Sequence, residues 1–239
     1  MVTSGYQSLH TVGTIITLRS KTPDNVPRTI QAKIIHLHEP FTLSCVATVE
    51  INASDLDLTN PPVNPITAIL KLYDRRFATQ LRKDERIEPW SQAIEQAYID
   101  TVKNGEAAEF IRKLCDDDID FEEPDEGWSA AENEAYLHNM CSELFSTETK
   151  AYEILRALQG KQVPRLYSTV SLSLDSGELE ESCEQAKHLS SISGILLEYI
   201  PGPTLSNMTE VIPQESWQAD GRTLCWYPHV YCVRLLSTT

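Results

Sequence analysis

At 239 residues and 41% apolar content the chain is long enough to bury a real core as one globular unit. Acidic residues outnumber basic ones 35 to 20, a formal charge of -15, which excludes recognition of nucleic acid or anionic lipid through a broad basic patch. No stretch approaches the roughly 20 apolar residues of a membrane span, and residues 1–20 lack a basic segment leading into an apolar run, so an intracellular protein, cytoplasmic or nuclear, is expected.

Residues 13–51 are rich in β-branched side chains. The runs Thr14-Ile15-Ile16-Thr17-Leu18 and Ala32-Lys33-Ile34-Ile35-His36-Leu37 are bounded by turn chemistry at Thr22-Pro23-Asp24-Asn25 and His38-Glu39-Pro40, which predicts successive antiparallel strands. Alternating apolar positions over 42–51 predict the next strand, and the proline-bearing segment 52–65 a loop. The run Ile66-Thr67-Ala68-Ile69-Leu70-Lys71-Leu72-Tyr73 is nearly continuously apolar around one lysine, the pattern of a strand buried on both faces.

From 90 to 115 the period becomes helical, with Ala93, Ala97, Tyr98 and Val102 at three- and four-residue steps and a break near Asn104-Gly105. The run 116–126 carries eight carboxylates and reads as a solvated loop, because the ordered oxygen spacing of a calcium loop is absent. A second helical stretch is expected over 128–158, stopped by Gln159-Gly160. Strands follow over 163–174 and 192–199, separated by an acidic, serine-rich loop at 175–191, and Pro201-Gly202-Pro203 forms a rigid exit.

A lysine inside a buried strand needs a carboxylate partner, since an unpaired ammonium there would suffer a desolvation penalty of several kcal/mol. Glu148 is the favoured partner for Lys71, because Ala151, Tyr152 and Leu155, three, four and seven positions on, form an apolar face with Glu148 at its edge. Glu153 is the competing choice, with Arg156 and Ala157 giving its face a more solvated character. The plain alternative for Lys71 is a side chain snorkelling from an edge strand. The six cysteines are scattered without zinc-ligand spacing, and the six histidines form no spaced cluster, so reduced thiols and no metal site are expected.

Four strings stand in a specific order: His38-Glu39-Pro40-Phe41-Thr42-Leu43-Ser44; Ile69-Leu70-Lys71-Leu72-Tyr73-Asp74-Arg75-Arg76-Phe77-Ala78; Glu148-x-x-Ala151-Tyr152-x-x-Leu155-x-x-Leu158-Gln159-Gly160-x-x-Val163-Pro164; and Leu196-Leu197-Glu198-Tyr199-Ile200-Pro201-Gly202. In this order the chain resembles the fungal protein-kinase-like proteins related to the aminoglycoside phosphotransferase and choline kinase group, over about residues 13–219.

The resemblance implies an α+β fold: the small lobe of a protein kinase, with an antiparallel β-sheet, a long αC-type helix and an inserted helical segment. It implies a lobe over 1–205 with an insert at 79–127, followed at 206–239 by the start of a further helix and a divergent tail. It implies ATP with magnesium as the ligand, with Lys71 toward the phosphates, Glu148 pairing it, and Glu198, Tyr199 and Ile200 as a hinge whose backbone meets adenine.

The chain departs from the family's pattern in three places. The turn at 38–44 has Pro40 and Phe41 where phosphate-cradling glycines would stand. The separation of Lys71 from Glu148 is lengthened by the acidic insert. No His-x-Asp and no Asp-Phe-Gly follows the hinge, so the large lobe with its base and magnesium ligands is expected to be missing. The expected function is therefore a truncated protein-kinase-like chain that keeps a weak ATP site and does not transfer phosphate alone. The alternatives are a non-catalytic interaction module, with a protein partner on the surface that would face the large lobe, or a fragment of an active phosphotransferase.

Overall fold

A computed structural model of the chain describes residues 11–21, 27–56, 64–116, 124–125, 127–174 and 184–202. Strand β1 (Ile15–Lys21) alternates, with Ile16, Leu18 and Ser20 buried and Thr17 and Arg19 exposed; β2 (Pro27–Leu37) does the same with Ile30, Ala32 and Ile34 inward. Strands β3 (Cys45–Ile51) and β4 (Ile66–Leu72) are buried almost throughout, because apolar layers cover both of their faces.

The helices follow. These are α1 (Thr79–Asp84), α2 (Gln92–Asn104), α3 (Glu106–Leu114) and α4 (Ala130–Ile154), the last a 25-residue helix started by a capping box between Ser129 and Glu132. The expected break at 104–105 is where Gly105, at φ +80°, turns the chain from α2 into α3. Helix α4 ends earlier than the periodicity predicts, and a short 3-10 turn, Arg156–Leu158, leads to β5 (Leu166–Ser173). The segment 175–191, expected as a loop, contains α5 (Glu184–Leu189) before β6 (Ser191–Glu198). Tyr98 fixes that short helix by donating its hydroxyl to the Leu189 carbonyl at 3.0 Å.

The expected small lobe of a protein kinase, an antiparallel sheet with a long αC-type helix, is not the fold of this chain. All neighbouring strands are antiparallel, and β1 pairs with β5 at Arg19 with Ser171 and Ser20 with Val170, closing the six strands into a barrel in the order β1-β2-β3-β4-β6-β5. The reason is physical: twisted strands bring the two outer edges together, and their unpaired backbone groups then satisfy each other. The Ser20 and Ser168 hydroxyls meet at 2.5 Å across the same seam. Leu18, Ile30, Val49, Leu70, Leu172 and Leu196 fill the interior, so the barrel is a packed core. Helix α4 belongs to the outer layer on this closed barrel, and the αC-type role in an open lobe falls with the lobe.

Two further apolar clusters lie among the described residues. One lies between the barrel wall and α4, with Val46, Ile69, Tyr73, Leu137, Tyr152 and Ile195. The other joins α2, α3, α4 and α5 through Tyr98, Val102, Phe110, Ala135 and Leu189. Among the described residues no helix is long and apolar enough to cross a membrane. The expected start of a further helix and the tail at 206–239 lie outside the described residues.

Candidate functional site

Lys71 sits in the middle of the barrel wall, opposite Val46 on β3 and Ile195 on β6. Side chains alternate along a strand, so Ala68, Leu70 and Leu72 enter the barrel while Ile69, Lys71 and Tyr73 face α4. That division explains the nearly unbroken apolar run around one lysine.

The lysine is 4% exposed, and its ammonium donates to Oε2 of Glu148 at 2.5 Å. The Tyr73 hydroxyl donates to the same oxygen, also at 2.5 Å. Glu148 stands on α4 with 22% of its side chain exposed, so one carboxylate at the rim neutralises a cation that is otherwise shut in apolar surroundings. Glu153, the competing partner, is exposed. The face argument that favoured Glu148 holds only in part: Tyr152 is buried, Ala151 is exposed, and Leu155 already lies past the last helical residue.

Tyr73 also has its ring edge-on to Phe145, three residues before Glu148 on α4, with centroids 5.7 Å apart. Burial, and then the negative charge of Glu148, push the Tyr73 phenol above its ordinary range, so it stays protonated and acts as a donor.

The residues expected as a hinge end β6. Glu198 lies opposite Ala68, donates its amide to the Arg165 carbonyl at 2.8 Å and accepts the Arg165 amide on Oε2 at 3.1 Å. Tyr199 is 38% exposed and Ile200 half-buried; no backbone hydrogen bond among the described residues engages their amides.

A second constellation lies just beyond Lys71 and was not foreseen from the sequence. Arg75 places one guanidinium nitrogen on both oxygens of Glu95 from α2, at 2.9 and 2.8 Å, and another on Glu134 from α4. Arg82 of α1 reaches the same Glu134 at 2.7 Å, and the Trp90 indole donates to Glu95 at 2.8 Å. Tyr98 lies under the Arg75 guanidinium with its centroid 4.1 Å away. Beside this set Arg76 pairs with Asp74 at 2.7 Å. The available signal was Arg75-Arg76 shortly after a strand buried over most of its length; mid-helix glutamates give none, since their ordinary place is the solvated face.

The network ties three helices to the end of β4 and thereby fixes the strand that carries Lys71. Its groups are committed to each other, which makes it a brace rather than a reaction centre.

Lys71 is a buried cationic donor, and Tyr199 and Ile200 stand just past the end of β6. The turn at 38–44 adds no glycine cradle: Phe41 is buried and packs edge-on against Phe77 with centroids 6.0 Å apart. Among the described residues no group of three histidines, cysteines or carboxylates converges as a metal site, and Asp74, the carboxylate nearest Lys71 in sequence, is taken by Arg76. The Lys71 ammonium is a donor of the type a phosphate accepts, and in this structure it is bound to Glu148. A cavity of about 380 Å³ lies elsewhere, among α2, α3 and the start of α4, lined by Thr101, Phe110 and Lys113. No protein-family model, curated protein or solved structure matches the chain.

Proposed function

We propose that the chain binds a nucleoside triphosphate, as its magnesium complex, and does not transfer phosphate by itself. The observation that carries this reading is the Lys71–Glu148 ion pair at 2.5 Å, set in the barrel wall where β4, β6 and α4 meet. In this reading the Lys71 ammonium turns to the α- and β-phosphate oxygens, Glu148 holds it there, and the Tyr199 and Ile200 amides meet the base. Descent from the kinase-like group is proposed from the order of Lys71, Glu148 and Glu198-Tyr199-Ile200. The closed barrel takes no part in that argument. Such a site works where ATP is plentiful, in the cytoplasm or the nucleus.

Affinity is expected to be weak, because the ligand must draw on an ammonium that is already paired and finds no glycine cradle. Turnover is expected to be absent, because no His-x-Asp or Asp-Phe-Gly string stands in the sequence. The test is a thermal-shift titration with ATP and magnesium on the wild type and on Lys71→Met. A rise in Tm that grows over millimolar ligand and is lost in the variant is the expected result. No rise at millimolar ligand would remove nucleotide binding, and magnesium-dependent ATP consumption abolished by Lys71→Met would overturn the non-catalytic half.

A second reading, a non-catalytic interaction module, is favoured by the exposure of Ile154 (75%) and Tyr199 (38%) near the ends of α4 and β6.

A further inference from the structure

We infer that Tyr73 is the positioning residue of the Lys71–Glu148 site: its hydroxyl fixes the Glu148 carboxylate so that one oxygen serves both the tyrosine and the lysine. This deepens the nucleotide-binding reading and rests on it for its functional meaning. The geometry, however, stands by itself.

Tyr73 follows Lys71 by two positions, so both side chains leave β4 on the face toward α4. The strand ladder continues through Tyr73, whose amide donates to the Ser193 carbonyl at 2.9 Å, so the tyrosine backbone is as fixed as that of the lysine. Its ring is buried at 5% exposure and steadied by Phe145 on the same stretch of helix as Glu148. Glu148, by contrast, has three rotatable bonds and a rim position, and a single bond to Lys71 would leave its carboxylate free to swing outward. The second donor removes that freedom, since both hydroxyl and ammonium stand 2.5 Å from Oε2.

The arrangement also addresses the difficulty in the proposed function. A phosphate that takes hydrogen bonds from Lys71 would weaken the hold of the ammonium on Glu148 and leave a half-buried carboxylate short of a partner. Tyr73 stays bound to that carboxylate throughout. The lysine can then turn toward a ligand while Glu148 keeps its place.

The test is a cycle of Tyr73→Phe and Glu148→Ala in the full chain, with two readouts. One is the affinity for ATP with magnesium by calorimetry. The other is the rate at which an amine-reactive ester acylates Lys71 without nucleotide, read by peptide mass spectrometry. Tyr73→Phe keeps the ring packing, and it is expected to speed acylation and weaken ATP affinity by about fivefold each, the scale of one lost hydrogen bond. In the Glu148→Ala background the same change should add less than about twofold, because no acceptor for the tyrosine hydroxyl remains at position 148. Acylation unchanged by Tyr73→Phe, or altered by the same factor in both backgrounds, would overturn the inference. A wild type that binds no ATP would end the nucleotide reading, and the acylation cycle would still decide the role of Tyr73.

Discussion

Arg75 and Glu95, 20 residues apart in sequence, form a buried two-point contact in which one guanidinium nitrogen meets both carboxylate oxygens, at 2.9 and 2.8 Å. Their side chains are only 6% and 4% exposed, so neither charge has water to fall back on. Through this contact and the shared Glu134, the ends of β4, α1, α2 and α4 behave as one mechanical joint.

Glu95→Gln leaves the Arg75 cation partly uncompensated and is expected to lower stability by about 3–5 kcal/mol. Glu134→Gln should cost at least as much, because Arg82 loses its counter-charge and Arg75 loses one of two. Glu109→Gln, on the exposed face of α3, should leave the unfolding midpoint where it is. Urea unfolding followed by circular dichroism measures all three. Equal midpoints for the buried and exposed variants would show that the joint contributes nothing.

Gly194 on β6 backs directly onto the lysine strand. A Cβ built there would lie 2.7 Å from both the Lys71 carbonyl oxygen and Leu72 Cδ2, and the carbonyl belongs to backbone that has no room to withdraw. Gly194→Ala is therefore expected to cost about 1–3 kcal/mol as overpacking. It should also speed hydrogen exchange at the Tyr73 amide, whose acceptor is the neighbouring Ser193 carbonyl. An alanine variant with wild-type Tm and unchanged exchange would refute the close packing of β4 on β6.

His138 on α4 is held to about 3, well below the ordinary histidine range, first by burial and then by the charge of Arg75 and by His188, with Asp74 acting weakly the other way. Its ring is edge-on to that of His188, centroids 5.6 Å apart, and its Nε2 has no hydrogen-bond partner among the described residues. The unfolded chain, with an ordinary histidine near 6.5, binds the proton that the folded chain refuses. Stability should consequently fall as pH drops from about 6.5 toward 3, with a slope from this group of at most about 1.4 kcal/mol per pH unit. His138→Gln should flatten the profile between pH 4 and 6.5. Superimposable profiles for variant and wild type would assign the acid sensitivity to other groups.

Much of the barrel was legible because local chemistry agrees with it. β-branched alternation marks β1 and β2, and the apolar run around Lys71 marks a strand covered on both faces. Closure was not legible: Ser20 and Ser168 are far apart in sequence, and nothing near either announces that β1 will find β5. The kinase-type small lobe implied by the resemblance filled that gap wrongly. At the site, Lys71 was visible as a charge in apolar company, and Glu148 was reached by a face argument in which only Tyr152 lies on the buried side. Glu95 and Glu134 were invisible, since a glutamate within a helix reads as solvated until a buried arginine is seen opposite. Helix α5 was hidden for a similar reason, because an acidic, serine-rich neighbourhood carries no helical period.

The buried ion pairs have a consequence for the exterior. Lys71, Arg75, Arg76 and Arg82 are matched by Glu148, Glu95, Asp74 and Glu134, so these inward charges cancel and the formal charge of -15 resides on the rest of the chain. A polyanion approaching from solution meets a net field of its own sign. Its arrival should thus be helped by salt, which shortens that field to about 8 Å at physiological ionic strength.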